Sequence, residues 1–381
     1  MKKILAFLLS LICVISLCAC GKKGSGYTAT DADISHLDKL YEGRTLYFGE
    51  AHAHAATGGN SDGKSTLSQW IDAMDTINYD FVTIVDHRQV SHMYLDEWDD
   101  AAFIGGSEAA THVTDSAATV NNMHYNMIFS DPEAFKEVLR ENGGFSYQED
   151  TTFFSTPDYT TRQMKEIIAS IQKNGGMFVH VHPKYPGYMT SDNPAVYWFA
   201  DDTGLEVMFG EKALAPDDVV NQVAYKLWTD LLDLGTRVWA TAGSDCHTTN
   251  HTSNSPTAIY AEEKTAESLF SHMRVGDFNP GFAAIRMTIG DTLMGSTTNS
   301  FDGKRVVFSV DQFHERIFET RDQFQVVLFS NKGEVFRETI DHTKENYYAV
   351  DADPTATFYR VEVQDMNGKF IALGNPIWKT N

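Results

Sequence analysis

The amino-acid sequence predicts an α/β barrel followed by a small antiparallel β-sandwich. Two patterns carry that expectation. From Thr45 to Val275, short apolar runs alternate with segments of helical periodicity, as in strands joined by helical crossovers. From about Thr288 onward, strand-like runs succeed one another with turns and no helical segment between them, as in a sandwich. A third observation favours a barrel over an open sheet. Histidines and carboxylates gather just past the ends of the apolar runs, where barrel sites form.

The first twenty residues, MKKILAFLLSLICVISLCAC, read as a signal peptide. Lys2 and Lys3 supply the charge, and Ile4–Leu17 is an apolar run short for a membrane span. The closing Leu17-Cys18-Ala19-Cys20 resembles the lipobox of bacterial lipoproteins. That implies a lipid on Cys20 and an exported chain anchored at the cell surface or in the periplasm; the alternative is secretory cleavage after Ala19. Three of the four cysteines lie here, leaving Cys246 alone, so no disulfide framework is expected. Residues 21–42 follow as a flexible tether and a polar lead-in.

In the barrel region, 43–290, Thr45–Glu50 opens as a strand and runs into His52 and His54. Leu67, Trp70, Ile71, Met74 and Ile77 recur at helical spacing, with Ser65 as the expected N-cap. Phe81–Val85 is a buried-type strand ending at Asp86-His87. Ala102–Ile104 leads to Glu108, and Met123–Phe129 carries His124. Helices are expected at Pro132–Glu141 and Thr161–Lys173. Met177–Val181 bears His180 and His182, and Leu205–Phe209 is a further strand. Asp217–Leu234 reads as a long helix, Arg237–Thr241 as a strand entering Asp245-Cys246-His247, and Thr257–Tyr260 and Ala266–Val275 complete the alternation. The sandwich is expected over 291–381, with strands at Arg305–Val310, Phe324–Phe329, Val335–Ile340, Tyr347–Val350, Thr357–Val363 and Phe370–Leu373.

Composition narrows the partners. A formal net charge of −22 argues against nucleic acid. It also leaves the N-terminal lipid as the only route to a membrane. No partner protein is evident.

The chemistry rests on His52, His54, Asp62, His87, Glu108, His124, His180, His182, Asp245 and His247. On an extended chain His52 and His54 face one side. Chance alone supplies roughly 0.5 His-x-His pairs at this histidine content, so the pair gains meaning only from the rest of the set. Imidazole and carboxylate without paired thiolates suit zinc, manganese or iron. The donors suffice for two or three divalent ions, with Glu108, a carboxylate with two oxygens, as the natural bridge. Water shared by such ions loses a proton near neutrality, and the resulting hydroxide attacks a phosphoryl or carbonyl centre, so no side-chain nucleophile is needed. Arg88 and Lys184 stand beside ligand positions and are candidate contacts for a substrate anion; solvated surface charge is the alternative.

Taken in order, HAH…NSDG, FVTIVDH, the Glu108 strand end, MHYN, VHVHP and GSDCH resemble the PHP (polymerase and histidinol phosphatase) domain. The C-terminal stretch FYRVEVQDMNGKFIALGNPIW is similar to the sandwich of the CehA/McbA-like branch. The resemblance implies a distorted (β/α)7 TIM-like barrel. It implies a first metal on His52, His54, Glu108 and Asp245, a second on Glu108, His124 and His182, and a third on Asp62, His87 and His247. Two departures stand out: the gap before Asp62 is longer than the family's usual one, and a small residue is commoner at the position of His180. His180 is therefore a core histidine, a donor behind the ligands, or a replacement ligand.

Other readings compete. His36, His92, His112, His251, His272, His314 and His342 are read as ordinary core or surface residues, and Cys246 as buried. Gly58–Ser65 also fits the P-loop pattern, but Asp62 would set a negative charge among the phosphate-binding amides, and the first glycine lies well past its strand. The expected function is metal-dependent hydrolysis of a small ester, foremost a phosphoester. The alternatives are a carboxylic ester, amide or carbamate hydrolase on the same site, and a non-catalytic metal-loaded surface binding lipoprotein.

Overall fold

The computed structural model describes residues 27–115, 123–142, 145–183, 200–210, 213–251 and 253–380. Cys20 and Lys184 lie outside them. Where a polar lead-in is expected, a helix forms, α1 (Asp31–Leu40), with Thr30 and Asp33 capping each other reciprocally. Only Leu37 of this helix is buried, so it carries no apolar stripe to read. It docks on the sandwich through Leu37, Val307 and Ala349 and through the pair Arg286–Asp38.

The barrel elements then run β1 (Thr45–Ala53), α2 (Leu67–Ile77), β2 (Phe81–Ile84), β3 (Phe103–Thr111), β4 (Met123–Phe129) and α3 (Pro132–Glu141). A hairpin follows, β5 (Ser146–Gln148) and β6 (Phe153–Ser155), then α4 (Thr161–Lys173), β7 (Met177–His180) and β8 (Thr203–Phe209). The remainder is α5 (Val219–Asp233), β9 (Val238–Gly243), β10 (Thr257–Ala261), α6 (Ala266–Met273) and β11 (Phe278–Pro280). Nine of these strands form one sheet, ordered β11-β10-β1-β2-β3-β4-β7-β8-β9.

The layout departs from a uniform (β/α)7 repeat. β1, β2, β3, β7, β8 and β9 run in one direction, but β4 is antiparallel to both β3 and β7, and β10 is antiparallel to β1. An antiparallel pair needs no helical crossover, and β3 passes to β4 with no helix between them among the described residues. The sheet nearly closes. The first half of β1 pairs with β10, while beyond it Ala53 bridges Cys246 in parallel fashion, with His54 N–H donating to Cys246 C=O at 2.9 Å and Asp245 N–H to His52 C=O at 3.0 Å. The seam therefore meets where the candidate ligands stand.

Helix α2 braces the same place. Its N-cap is Thr66, not the expected Ser65. Thr66 sets Gln69 at the third helical position and completes a capping box. Ser65 Oγ instead accepts the Thr249 N–H at 3.1 Å. Fully buried Trp70 donates its indole N–H to His54 C=O at 3.2 Å. Truncating it to alanine would cost about 3–5 kcal/mol and release that carbonyl.

Beyond the barrel come β12 (Ala283–Ile289), β13 (Thr292–Leu293), β14 (Thr297–Thr298), β15 (Arg305–Phe313), β16 (Phe324–Ser330), β17 (Gly333–Ile340), β18 (Asn346–Asp351), β19 (Phe358–Asp365), β20 (Phe370–Leu373) and β21 (Ile377–Lys379). They form two sheets, β13-β12-β15-β18 and β14-β21-β19-β16-β17 with β20 on β19, around one apolar core that includes Ile285, Phe308, Val326 and Val361. β12 already pairs with β15, so the second layer takes in residues from Ala283 onward. Trp378 and Phe370 pack into the barrel's apolar cluster beside Trp228 and Trp239.

Candidate metal centre

Each candidate ligand sits at or just past the same end of the barrel. His52 lies near the end of β1, His54 just past it, His87 just past β2, and Glu108 within β3. In the antiparallel register Glu108 faces Asn126, so His124, two residues away on β4, is its diagonal neighbour on one face. His182 and Asp245 follow β7 and β9, and both have left-handed backbones, φ 28° and 52°. That conformation is uncommon for residues with a Cβ and costs of the order of 1–3 kcal/mol.

Three groups of donors result, each with its ligand atoms within 4.8 Å of one another: His52, His54, Glu108 and Asp245; Glu108, His124 and His182; and His54, His87 and His247. Glu108 divides its carboxylate between them. Its Oε1 lies 2.7 Å from His124 Nδ1 and 3.1 Å from His182 Nε2. Its Oε2 lies 3.6 Å from His52 Nε2, 3.2 Å from His54 Nε2 and 3.4 Å from His87 Nδ1. Asp245 Oδ1 completes the first group, 3.3 Å from His52 Nε2 and 3.0 Å from His54 Nε2.

Asp62 also arrives. Its Oδ1 is 3.4 Å from His87 Nε2 and 3.1 Å from His247 Nε2, across the long gap from His54. His54 stacks on both imidazoles, with ring centroids 4.6 Å away in each case. His247 Nδ1 lies 2.8 Å from Asp245 C=O, which selects the tautomer that leaves Nε2 toward Asp62.

Burial and charge oppose each other here. Burial alone would lower His52 and His54. The Glu206 and Asp245 carboxylates hold His52 well above the ordinary imidazole range, and hydrogen bonds to Asp245 and Glu108 lift His54 to about 9. Burial would raise Glu108 and Asp245, but the surrounding imidazoles hold both well below the usual carboxylate range. His87 is lowered, with burial as its largest cause. The carboxylates thus favour positive charge at His52 and His54, where a divalent cation would also be favoured. The donor set fits such an ion: Glu108 can bridge, and the buried His52 Nε2 points into the cluster, 3.3 Å from Asp245 Oδ1 and 3.6 Å from Glu108 Oε2.

His180, read from sequence as a core histidine, a donor behind the ligands or a replacement ligand, stands apart from the three groups. It is buried at the end of β7 and belongs to none of them among the described residues. The alternation that would align it with His182 breaks where the strand stops and His182 turns left-handed. Burial pushes its imidazole down to about 3. His36, His92, His112, His272, His314 and His342 also belong to no group. Cys246 is buried and its thiol is pushed up by burial. Arg88 is exposed, next to His87.

Three buried carboxylates were not among the predicted site residues. Glu50 Oε1 accepts the His52 N–H at 3.0 Å and the Ser244 N–H at 2.9 Å, and burial raises its carboxyl to about 7. Asp86 accepts the Ala55 N–H at 2.9 Å and the Thr57 hydroxyl. Glu206 lies 3.0 Å from His52 Nδ1. All three occupy apolar strands or strand ends, where an ionisable side chain is costly without partners. That signal stands in FGEAHAH, TIVDH and GLEVMF.

No family model matches the chain, and no curated relative matches it. Solved structures resemble part of it. The lesion-specific endonuclease PfuEndoQ from Pyrococcus furiosus is 13% identical, with a TM-score of 0.42 over 61% of this chain and 57% of that one. Endonuclease Q bound to a 27-mer duplex substrate with an abasic lesion is 13% identical, with a TM-score of 0.41 over 61% and 58%. PsfC from Pseudomonas syringae PB-5123 is 15% identical, with a TM-score of 0.37 over 56% of this chain and 82% of that one. This chain thus spans less than two thirds of the endonucleases' length.

Proposed function

We propose that the protein is a metal-dependent hydrolase of the PHP type, and specifically a phosphoesterase acting on a small ester. The observation that carries this is the division of Glu108 between two donor groups, Oε1 toward His124 and His182 and Oε2 toward His52 and His54. Two or three ions of zinc, manganese or iron bound there would supply Lewis acidity toward a substrate oxygen and activate water for attack.

The chain's own residues do the rest. His52, His54 and Asp245 would hold one ion and His124 and His182 another, with Glu108 shared between the two groups. His87, His247 and Asp62, the more exposed donors, would hold a third ion beside His54. Exposed Arg88 is suited to meet an anionic group of the substrate, and Lys184, outside the described residues, is assigned the same role. A net charge of −22 disfavours a polyanionic substrate and supports a small one. The N-terminal segment supports export and a lipid anchor on Cys20.

The test is hydrolysis of p-nitrophenyl phosphate beside p-nitrophenyl acetate, before and after exhaustive chelation and after return of manganese or zinc. The phosphoesterase reading expects phosphate turnover that chelation abolishes and metal restores. Turnover that survives complete metal removal overturns the metal reading; metal-dependent turnover of the acetate alone overturns only the phosphoester assignment.

A further inference from the structure

Glu206 is 1% exposed on β8, between Leu205 and Val207, both fully buried. A carboxylate so placed is kept only where its oxygens are met. Both are met by parts of the metal centre, and by different parts. Oε1 lies 3.0 Å from His52 Nδ1, and Oε2 accepts the His182 backbone N–H at 2.6 Å. His52 belongs to the first donor group and His182 to the second. The next strand makes room for this contact. Gly243, at the end of β9, is the residue whose Cβ would run into both Glu206 Oε1 and His52 Cβ.

We infer that Glu206 is a positioning residue that locks the first and second ion sites into one unit. Through Oε1 it keeps the proton on His52 Nδ1 and aims Nε2 at the ion. Through Oε2 it holds His182 in its left-handed conformation, φ 28°, which turns the imidazole toward Glu108. Glu50 differs: its Oε1 accepts the backbone N–H groups of His52 and Ser244, both on the first-site side. The inference rests on the metal-centre reading, and it makes the two inner ions cooperative where sharing Glu108 alone would only bring them close.

The test titrates cobalt(II) into the metal-free full-length chain and into Glu206→Gln, following ligand-field absorbance and cobalt per chain. The substitution is expected to weaken both inner ions together by about 10–100-fold and to leave the outer ion on His54, His87 and His247 in place. Loss confined to one inner ion, or unchanged binding, overturns the inference. A parent chain that takes up no cobalt overturns the metal reading itself. Should Glu206→Gln fail to fold, long-range 1H–15N spectra of the histidine-labelled, zinc-loaded parent decide. A proton on His52 Nδ1 with zinc on Nε2 supports the assignment, and the opposite tautomer overturns it.

Discussion

The inner and outer halves of the centre are built differently, although His54 belongs to both. In the inner half, the side chains of His52, His54 and Glu108 are at most 1% exposed, and their surroundings are braced by the buried carboxylates of Glu50, Asp86 and Glu206. In the outer half, Asp62 is 51%, His247 35% and His87 24% exposed. Asp62 rides on a glycine-rich loop held in part by the buried amide of Gln89. Gln89 Oε1 accepts the Asn60 N–H at 2.8 Å, and its Nε2 donates to Thr57 Oγ1 at 3.1 Å and Gly58 C=O at 3.2 Å. Ligands on strands are preorganised by the fold, whereas a ligand on a loop is only as well placed as the loop's own contacts.

That contrast can be broken most severely at Glu108. Glu108→Ala removes the carboxylate shared by two donor groups and leaves five imidazoles facing a gap. Turnover is expected to fall by about 10³-fold or more, the scale seen when one member of a cooperating set is lost. Steady-state kinetics with p-nitrophenyl phosphate measures it.

Protons sharpen the contrast without a mutation. In the metal-free pocket His54 is raised to about 9 and His182 is also raised, whereas His87 is lowered. A raised imidazole is protonated below its pKa and must lose that proton to bind metal. Inner-ion affinity is therefore expected to climb as pH rises from about 6 to about 9, with protons released on binding. Uptake by His87 changes little above neutrality. Calorimetry in buffers of different ionisation heat counts the protons.

Asp62→Ala should act on the outer half alone. We expect roughly tenfold weaker binding of the outer ion, within the range for loss of a supporting ligand contact, with the inner ions retained at full content. A smaller effect is expected at Gln89→Ala, which leaves every ligand in place but cuts three hydrogen bonds of the loop. It should lower unfolding free energy by about 1–3 kcal/mol and loosen the outer ion by less than Asp62→Ala does. Denaturant unfolding and cobalt titration check both figures.

Much of the inner half was legible from sequence because its candidate ligands sit at strand ends. His52 and His54 follow the alternation of an extended chain, and Glu108, His124 and Asp245 mark where apolar runs give way. At His180 the sequence left several roles open, because whether it shares a face with His182 depends on the left-handed turn that follows β7. Strand direction was not legible either: nothing in MHYNMIF says that β4 runs against its neighbours. Helix α1 escaped notice because a single buried leucine makes no periodic stripe, although Thr30 and Asp33 spell its cap. The carboxylates behind the ligands were visible as lone charges in apolar strands, but their partners depend on which strands become neighbours.

The most direct test of the account is metal content per chain, measured by elemental analysis on the purified, reconstituted protein and on Glu108→Ala. The account predicts two or three divalent ions in the parent and at most one, the outer ion, in the variant. A parent that holds none after reconstitution, or a variant that keeps the full complement, would contradict it.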